Sequence, residues 1–336
     1  MSPILPQLPL VDGAFFIDNS QIEKYQTCPR MWQYYALHKR ESAGDASALV
    51  FGRALHKALD MRYSIAHEVP NGVSATSHET ENAQCVEAQR IMSEIEVDPE
   101  DHRTTSRVAE VIELYNKHYK DEFQSLSVLK SEFPIAVKLG EVKIPYSRTS
   151  FFPNNIGWEI TEQQFIKVPI IWTGRVDLAV LLQNDTRPWI VDHKTTSIWG
   201  ESYVSGMRLR GQFRGYCWAF REMFPNHEQP AGAMLNVLVI RKKTVKGTGV
   251  HTEFHRQMFS YTEDDLTEWR ENTLALVQKM LESYYTGFLP QHTNQCIQYM
   301  RPCPYYEVCN MPRDQREFLL GTSSFKNVTW SPLENE

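Results

Sequence analysis

Two short stretches carry side chains that could do chemistry together: "GRVDLAV", Gly174 to Val180, and "IVDHKTT", Ile190 to Thr196. Read as an antiparallel hairpin turning at Asn184-Asp185, they oppose residues whose numbers sum to 369, and Asp177 with Asp192 is such a pair. Directly opposed residues on paired strands have Cβ atoms about 5 Å apart. Asp192 and Lys194 are two apart on one strand and share a face; His193 points to the other face and offers its backbone carbonyl. Two carboxylates facing each other in an apolar sheet are costly unless something compensates their charge. A divalent cation that prefers oxygen ligands, Mg²⁺ or Mn²⁺, is the usual compensation. A lysine beside it can hold or deprotonate a water and stabilise charge developing on a phosphate. A surface hairpin with one Asp–Lys ion pair is the plainer alternative, and the matched register weighs against it.

These strands need elements to carry them. Pro3, Pro6 and Pro9 break any helix in the lead-in, residues 1–19. Ser20 with Glu23 reads as a capping box that starts a helix ending near Cys28-Pro29, followed by a second helical stretch through Trp32 and Tyr35. Residues 41–47 read as a loop, and "ALVFGRALHKALDMRY" as an amphipathic helix. After a polar stretch at 68–80, two more helices are expected near 81–96 and 104–126. The character changes after residue 130. "FPIAVKL", "WEITEQQFIKV", "IIWTGRVDLAVLL" and "WIVDHKTT" are rich in β-branched and aromatic residues and read as strands. "RGQFRGYCWAFREMF" returns to helix, and "AGAMLNVLVIRKK" with "HTEFHRQMFSY" forms a further hairpin around a basic tip. Thr262 begins a long helix to about Tyr285, with Asp265 as its capping acid. The order is a helical region (20–130), a core (131–260) and a C-terminal helix with a cysteine-bearing tail (261–336).

The chain's 336 residues fit about two domains or one elaborated core, and 42% hydrophobic with 12% aromatic residues supply ample interior. A net charge of −6 excludes a generally basic nucleic-acid coat protein but not a local basic groove. No run of eighteen apolar residues suggests a membrane span. The opening "MSPILPQLPLVDGAFF" lacks the pattern of a secretory signal, so a reducing, cytoplasmic setting is expected. There, the gathering of Cys296, Cys303 and Cys309 within fourteen residues suggests a metal site more than disulfides. Cys85 and Cys217 lie in amphipathic helices and read as buried thiols.

"GRVD" followed by "VDHKT" resembles the PD-(D/E)XK nuclease superfamily, most closely its RecB-like branch. "GRALH" is similar to the family's Gly-x-x-x-His helix, giving Gly52 and His56, and "QFRGY" to its glutamine–tyrosine pair, giving Gln212 and Tyr216. Members of each pair are four apart and share a helix face. Glu162 in "TEQQF" is a weaker match to a family acid. The resemblance implies a restriction-endonuclease-like α/β fold, a mixed sheet core flanked by helices. It implies a metal held by His56, Asp177, Asp192 and the carbonyl of His193, with Lys194 positioning the attacking water. Gln212 and Tyr216 would orient the lysine or the scissile phosphate. One RecB-like group, including AddB-type and CRISPR-associated nucleases, carries a 4Fe–4S cluster on one N-terminal and three C-terminal cysteines. Here Cys28 in "YQTCPRMWQYY" would join Cys296, Cys303 and Cys309. Six residues separate Cys296 from Cys303, more than the two common in those relatives, and Zn²⁺ on the four thiolates is the alternative. The activity implied is exonuclease action on DNA ends or single strands, in recombination, repair or replication and alongside the proteins of those processes. Such genes are frequent in bacteriophages, so a bacterial or phage-infected cell is the expected setting. A non-catalytic DNA-end-binding subunit is the alternative, which has no need of the intact Asp, Asp and Lys. Candidate phosphate contacts are Arg208, Arg210 and Arg214, with Arg241, Lys242, Lys243 and Lys246 at the hairpin tip. Trp199 and Tyr203 could stack on unpaired bases or pack in the core.

Overall fold

The computed structural model describes residues 6, 8–43, 46–69, 74–97, 100–146, 164–242, 251–298 and 301–328. The chain opens with a hairpin, β1 (Leu10–Val11) and β2 (Ala14–Ile17), then α1 (Asn19–Thr27) and α2 (Pro29–Trp32), then β3 (Arg40–Ser42). Three helices follow, α3 (Ala46–Glu68), α4 (His78–Met92) and α5 (Thr105–His118). Next come β4 (Leu126–Tyr146), β5 (Gln164–Leu182), β6 (Trp189–Thr196), α6 (Glu201–Arg208), α7 (Gly211–Met223), β7 (Gly232–Ile240) and β8 (Thr252–Ser260). The last long element is α8 (Glu263–Tyr285), followed by β9 (Ile297–Gln298), β10 (Arg301–Pro302), α9 (Tyr306–Asn310), α10 (Arg316–Leu320) and β11 (Phe325–Asn327). Among the described residues no helix is long and apolar enough to cross a membrane.

Two compact units share the chain: residues 1–44, 136–174 and 267–336 form one, and 45–135 with 175–266 form the other. In the second unit the strand order is β5, β6, β7, β8. β6 is antiparallel to β5 and parallel to β7, and β7 is antiparallel to β8, so the sheet is mixed. The parallel step from β6 to β7 needs a crossover, supplied by α6 and α7. Alternation along the strands divides their side chains between two faces. Leu178, Val180, Trp189, Val191, Met234, Leu238 and Ile240 join one apolar cluster with α3, α4 and α5, and α7 packs against β6 and β7. Helices thus flank a mixed sheet, as expected.

In the first unit β2 runs parallel to the early part of β5, pairing Ile17 with Trp172. The Asp12-Gly13 turn has positive φ at both residues, 49° and 76°, the twist that a tight hairpin needs. Tyr34, Tyr305, Val308, Leu320 and Phe325 form a separate small core, and β3 pairs with β11.

Several local expectations are corrected, among them the helix expected near 104–126, which ends at His118. Asp18, not Ser20, caps α1: its carboxylate accepts the Gln21 amide at 2.8 Å, because the helix starts two residues earlier than the capping-box reading places it. Residues 40–42 form a strand rather than loop, since Phe325–Asn327 supplies an edge no local pattern reveals. The Thr262–Asp265 box is present: each side chain accepts the other's backbone amide, at 2.7 and 3.2 Å.

Candidate active site

The groups around Asp177, Asp192 and Lys194 lie in the second unit. The β5–β6 ladder pairs Leu178 with Val191, Ala179 with Ile190 and Val180 with Trp189, the register that sums to 369. Asn184 takes a left-handed backbone, φ 67°, in the connection. The turn closes between Leu182 and Asp185, so Gln183 and Asn184 form its centre, not Asn184-Asp185. The paired ladder ends at Leu178 and Val191. The next free amide, that of His193, donates to Asp177 Oδ2 at 2.7 Å. One carboxylate thereby takes over a sheet bond and is fixed by it.

Asp192 is 1% exposed, and the Lys194 side chain beside it is 26% exposed. Lys194 Nζ lies 2.8 Å from Asp192 Oδ2, and Gln212 Nε2 donates to Oδ1 at 3.0 Å. Gln212 also donates to the Tyr216 hydroxyl at 3.3 Å, which binds the pair into one unit on α7. The glutamine therefore orients Asp192 rather than the lysine. Asp192 Oδ2 is buried, and the Lys194 ammonium is its charge partner. Burial raises Asp192 to about 6, against the pull of Lys194 and with the push of Asp177. Burial disfavours the charge on Lys194 too, but Asp192 and Asp177 outweigh it and hold the ammonium above its usual range.

His56 stands on α3, reaching Asp177 Oδ2 with Nδ1 at 3.6 Å. Gly52, one turn earlier, brings α3 close to β6: a Cβ there would sit 3.4 Å from Thr195 Oγ1. Ligand atoms of His56, Glu132 and Asp177 all lie within 4.8 Å of one another. Glu132 is the residue that sequence reasoning missed. Its backbone is left-handed, φ 42°, within β4, a local strain that re-aims a strand side chain and recurs at functional sites. Its carbonyl accepts Arg175 Nη1 at 3.2 Å. Burial, then Asp177 and Asp60, raise its carboxyl to about 9. The only trace in sequence is an acid inside an apolar strand, "SEFPIAV". Glu162 lies outside the described residues, as do Lys243 and Lys246.

His193 turns its ring away from Asp192, stacked on Tyr63 at 5.6 Å. Its Nδ1 is 2.8 Å from Asn236 Nδ2, the residue paired with it on β7. Arg256 Nε can only donate, and it contacts Asn236 Oδ1 at 3.3 Å. The Asn236 amide therefore donates to His193 Nδ1, and the ring carries its proton on Nε2. Burial pulls this imidazole down to about 3, so it is neutral. Behind Asn236 a buried set continues: Tyr115 accepts from Asn236 at 3.0 Å, and Glu122 pairs with both Arg62, at 2.8 Å, and Arg256.

The predicted phosphate contacts diverge. Arg208 and Lys242 are exposed. Arg214 donates to the Leu209 carbonyl at 2.7 Å, and Arg241 is paired with Glu253.

Cys28, Cys296, Cys303 and Cys309 belong to the first unit. Cys28 sits between α1 and α2, its Sγ accepting the His292 amide at 3.4 Å. The Cys303 amide donates to the Cys296 carbonyl at 2.8 Å. Burial raises the Cys303 thiol, and Cys309, Cys28 and Cys296 are near enough to raise it further. Among the described residues these four form no set of three within 4.8 Å. Cys217 is fully buried, and burial raises it; burial also raises Cys85, to about 11.

A family model for the PD-(D/E)XK nuclease superfamily matches residues 19–310. No curated protein is significantly similar to the chain. Among solved structures, a candidate exonuclease from Eubacterium rectale is similar over 84% of this chain and 85% of that one, at 11% identity and a TM-score of 0.44.

Proposed function

Since the chain belongs to the PD-(D/E)XK nuclease superfamily, we propose that it is a metal-dependent DNA exonuclease acting at ends or on single strands. The observation that carries the reading is one constellation of half-buried side chains around the buried Asp192. Asp192 Oδ2 is 2.8 Å from Lys194 Nζ, and the same unit brings His56, Glu132 and Asp177 to within 4.8 Å. Three acids and an imidazole of this kind suit Mn²⁺ or Mg²⁺. His56, Glu132, Asp177 and Asp192 would hold the ion, with the His193 carbonyl as a further ligand.

The ion would lower the pKa of a water and offset charge on the phosphate. Lys194 is held protonated, so it acts by donating to the attacking water or a phosphate oxygen, not by taking a proton. Gln212 keeps Asp192 aimed, and Tyr216 keeps Gln212 aimed. Asn236 locks the His193 ring, which fixes the backbone at the centre of the site. Incubating the protein with Mn²⁺ and DNA labelled separately at each end tests the reading, with Lys194→Ala alongside. Stepwise loss from an end by the intact protein alone is expected; equal degradation by both proteins, or none by either, removes the assignment.

The four cysteines form a second proposed centre, a 4Fe–4S cluster that staples residue 28 to the tail. A tetrahedral zinc, with Zn–S about 2.3 Å, draws its thiolates to about 4 Å of one another. Either group would be held by the same four thiolates, so metal content and colour decide between them. Brown protein absorbing near about 400 nm is expected; colourless protein with stoichiometric zinc after anaerobic purification defeats the cluster. Roles in recombination, repair or replication, including in phage, are what the family resemblance implies.

A further inference from the structure

Beside Lys194 the second unit presents apolar and aromatic side chains that its core does not absorb. β6 ends at Thr196, whose hydroxyl accepts the Ile198 amide at 3.1 Å and turns the chain outward. Ile198 is left 67% exposed, and Leu209, just past α6, 69% exposed. Between them Trp199 and Tyr203 are half-buried, ring centroids 6.1 Å apart and tilted by 55°. The Trp199 indole lies flat on the His255 ring, centroids 4.3 Å apart and planes within 7°. Glu253 braces that ring from Nε2 at 2.9 Å, and Arg241 in turn holds Glu253. The indole therefore rests on a supported ring, not a mobile one. Tyr203 feels the charges of Lys194, Arg210 and Asp192, which sets this wall at the edge of the active site. Arg208 and Arg210 stand exposed on the same stretch.

Core packing would have hidden Ile198 and Leu209. Grouped apolar side chains beside cations mark a binding surface. Duplex DNA keeps its base faces in the stack, whereas unpaired bases offer them to aromatic side chains and their phosphates to arginines. We propose that Ile198, Trp199 and Tyr203 form a nucleobase-stacking platform that receives the unpaired bases of the strand cut at Lys194. Arg208 and Arg210 take the adjoining phosphates. The platform deepens the nuclease reading and rests on it for the strand's position.

The test uses the full-length protein with Ca²⁺ in place of the activating ion. Fluorescence anisotropy reads the binding of labelled oligodeoxythymidine and of an abasic oligonucleotide of equal length, while parallel samples with Mn²⁺ read cleavage. The intact protein binds the oligothymidine at least about tenfold more tightly than the abasic strand. Trp199→Ala erases that preference and leaves the abasic affinity unchanged; Trp199→Phe keeps most of it. A preference that survives Trp199→Ala, or equal loss of affinity for both strands, overturns the platform. Cleavage separates the two claims. Mn²⁺-dependent cutting with an unaltered base preference in Trp199→Ala sinks the platform and spares the nuclease. Base-dependent binding lost in Trp199→Ala, with no cutting by the intact protein, does the reverse.

Discussion

The acidic site and the cysteine segment both gather ligand-type side chains from distant parts of the chain, but on unequal foundations. The acidic site stands on β6, eight residues long and buried through most of its length, and on α3, with 23 residues. Behind it a hydrogen-bonded set from Asn236 to Glu122 fixes the strands from within. The cysteine segment has β9 and β10 of two residues each and α9 of five. Elements so short do not hold themselves in water. The difference is between a site shaped before its ion arrives and a segment whose bound metal would be part of the fold.

The largest effect is expected at the first region. Asp192→Asn preserves shape but removes the charge that positions Lys194, so cleavage falls by about 10²–10³-fold while the far-UV circular dichroism is unchanged. A variant that cuts normally would dissolve the contrast. Glu132→Gln should weaken Mn²⁺ binding by more than about a hundredfold, beyond the usual effect of an outer-shell change. Calorimetry checks it, and unaltered affinity removes Glu132 from the site.

The same carboxyl sharpens the comparison through pH. Raised to about 9, it is protonated in the ion-free protein at neutral pH. Its folded-state pKa lies above the ordinary value, so the stability it contributes is complete at low pH and lost as pH rises towards 9. An arriving ion must displace that proton. Affinity should climb by about tenfold per pH unit below that value, with roughly one proton released per ion at neutral pH. Titrations in buffers of different ionisation enthalpy reveal it; ion binding without proton release contradicts it.

At the second region, Cys28→Ser should lower the melting temperature by about 10 °C or more, at about 2–4 °C per kcal/mol. Cleavage per folded molecule is retained. Normal melting with lost chemistry would invert the comparison. The smallest effect is expected from chelating the divalent ion at neutral pH: the melting temperature should move by less than about 3 °C, because the site's scaffold exists without it. Global unfolding on chelation would place both regions in the same class.

Much of the acidic site was legible because its signals are local. The register follows from counting along two apolar stretches, and Asp192 with Lys194 from the two-residue period of a strand. Gln212 over Tyr216 follows from one turn of helix. Other features had no local signal. Glu132 reaches the site only through a left-handed residue inside a strand. Gln212 could have faced the lysine, and only packing of α7 on β6 turns it to Asp192. Arg241 looked like a phosphate contact until Glu253, on β8 opposite Val239 of β7, claimed it. His193 looked like a bystander apart from its carbonyl, yet Asn236, forty-three positions away, holds its ring.

The amino-acid order was sufficient for the periodicities, the family likeness and the β5–β6 register that sets Asp177 and Asp192 just past the paired ladder, because strand and helix geometry repeat over a few covalent bonds. Which acid completes the ligand set, which arginine is spent in an ion pair and which aromatics stay at the surface were set by packing. Those outcomes depend on side chains from separate segments meeting, and the free energy of such meetings is not written in any one segment.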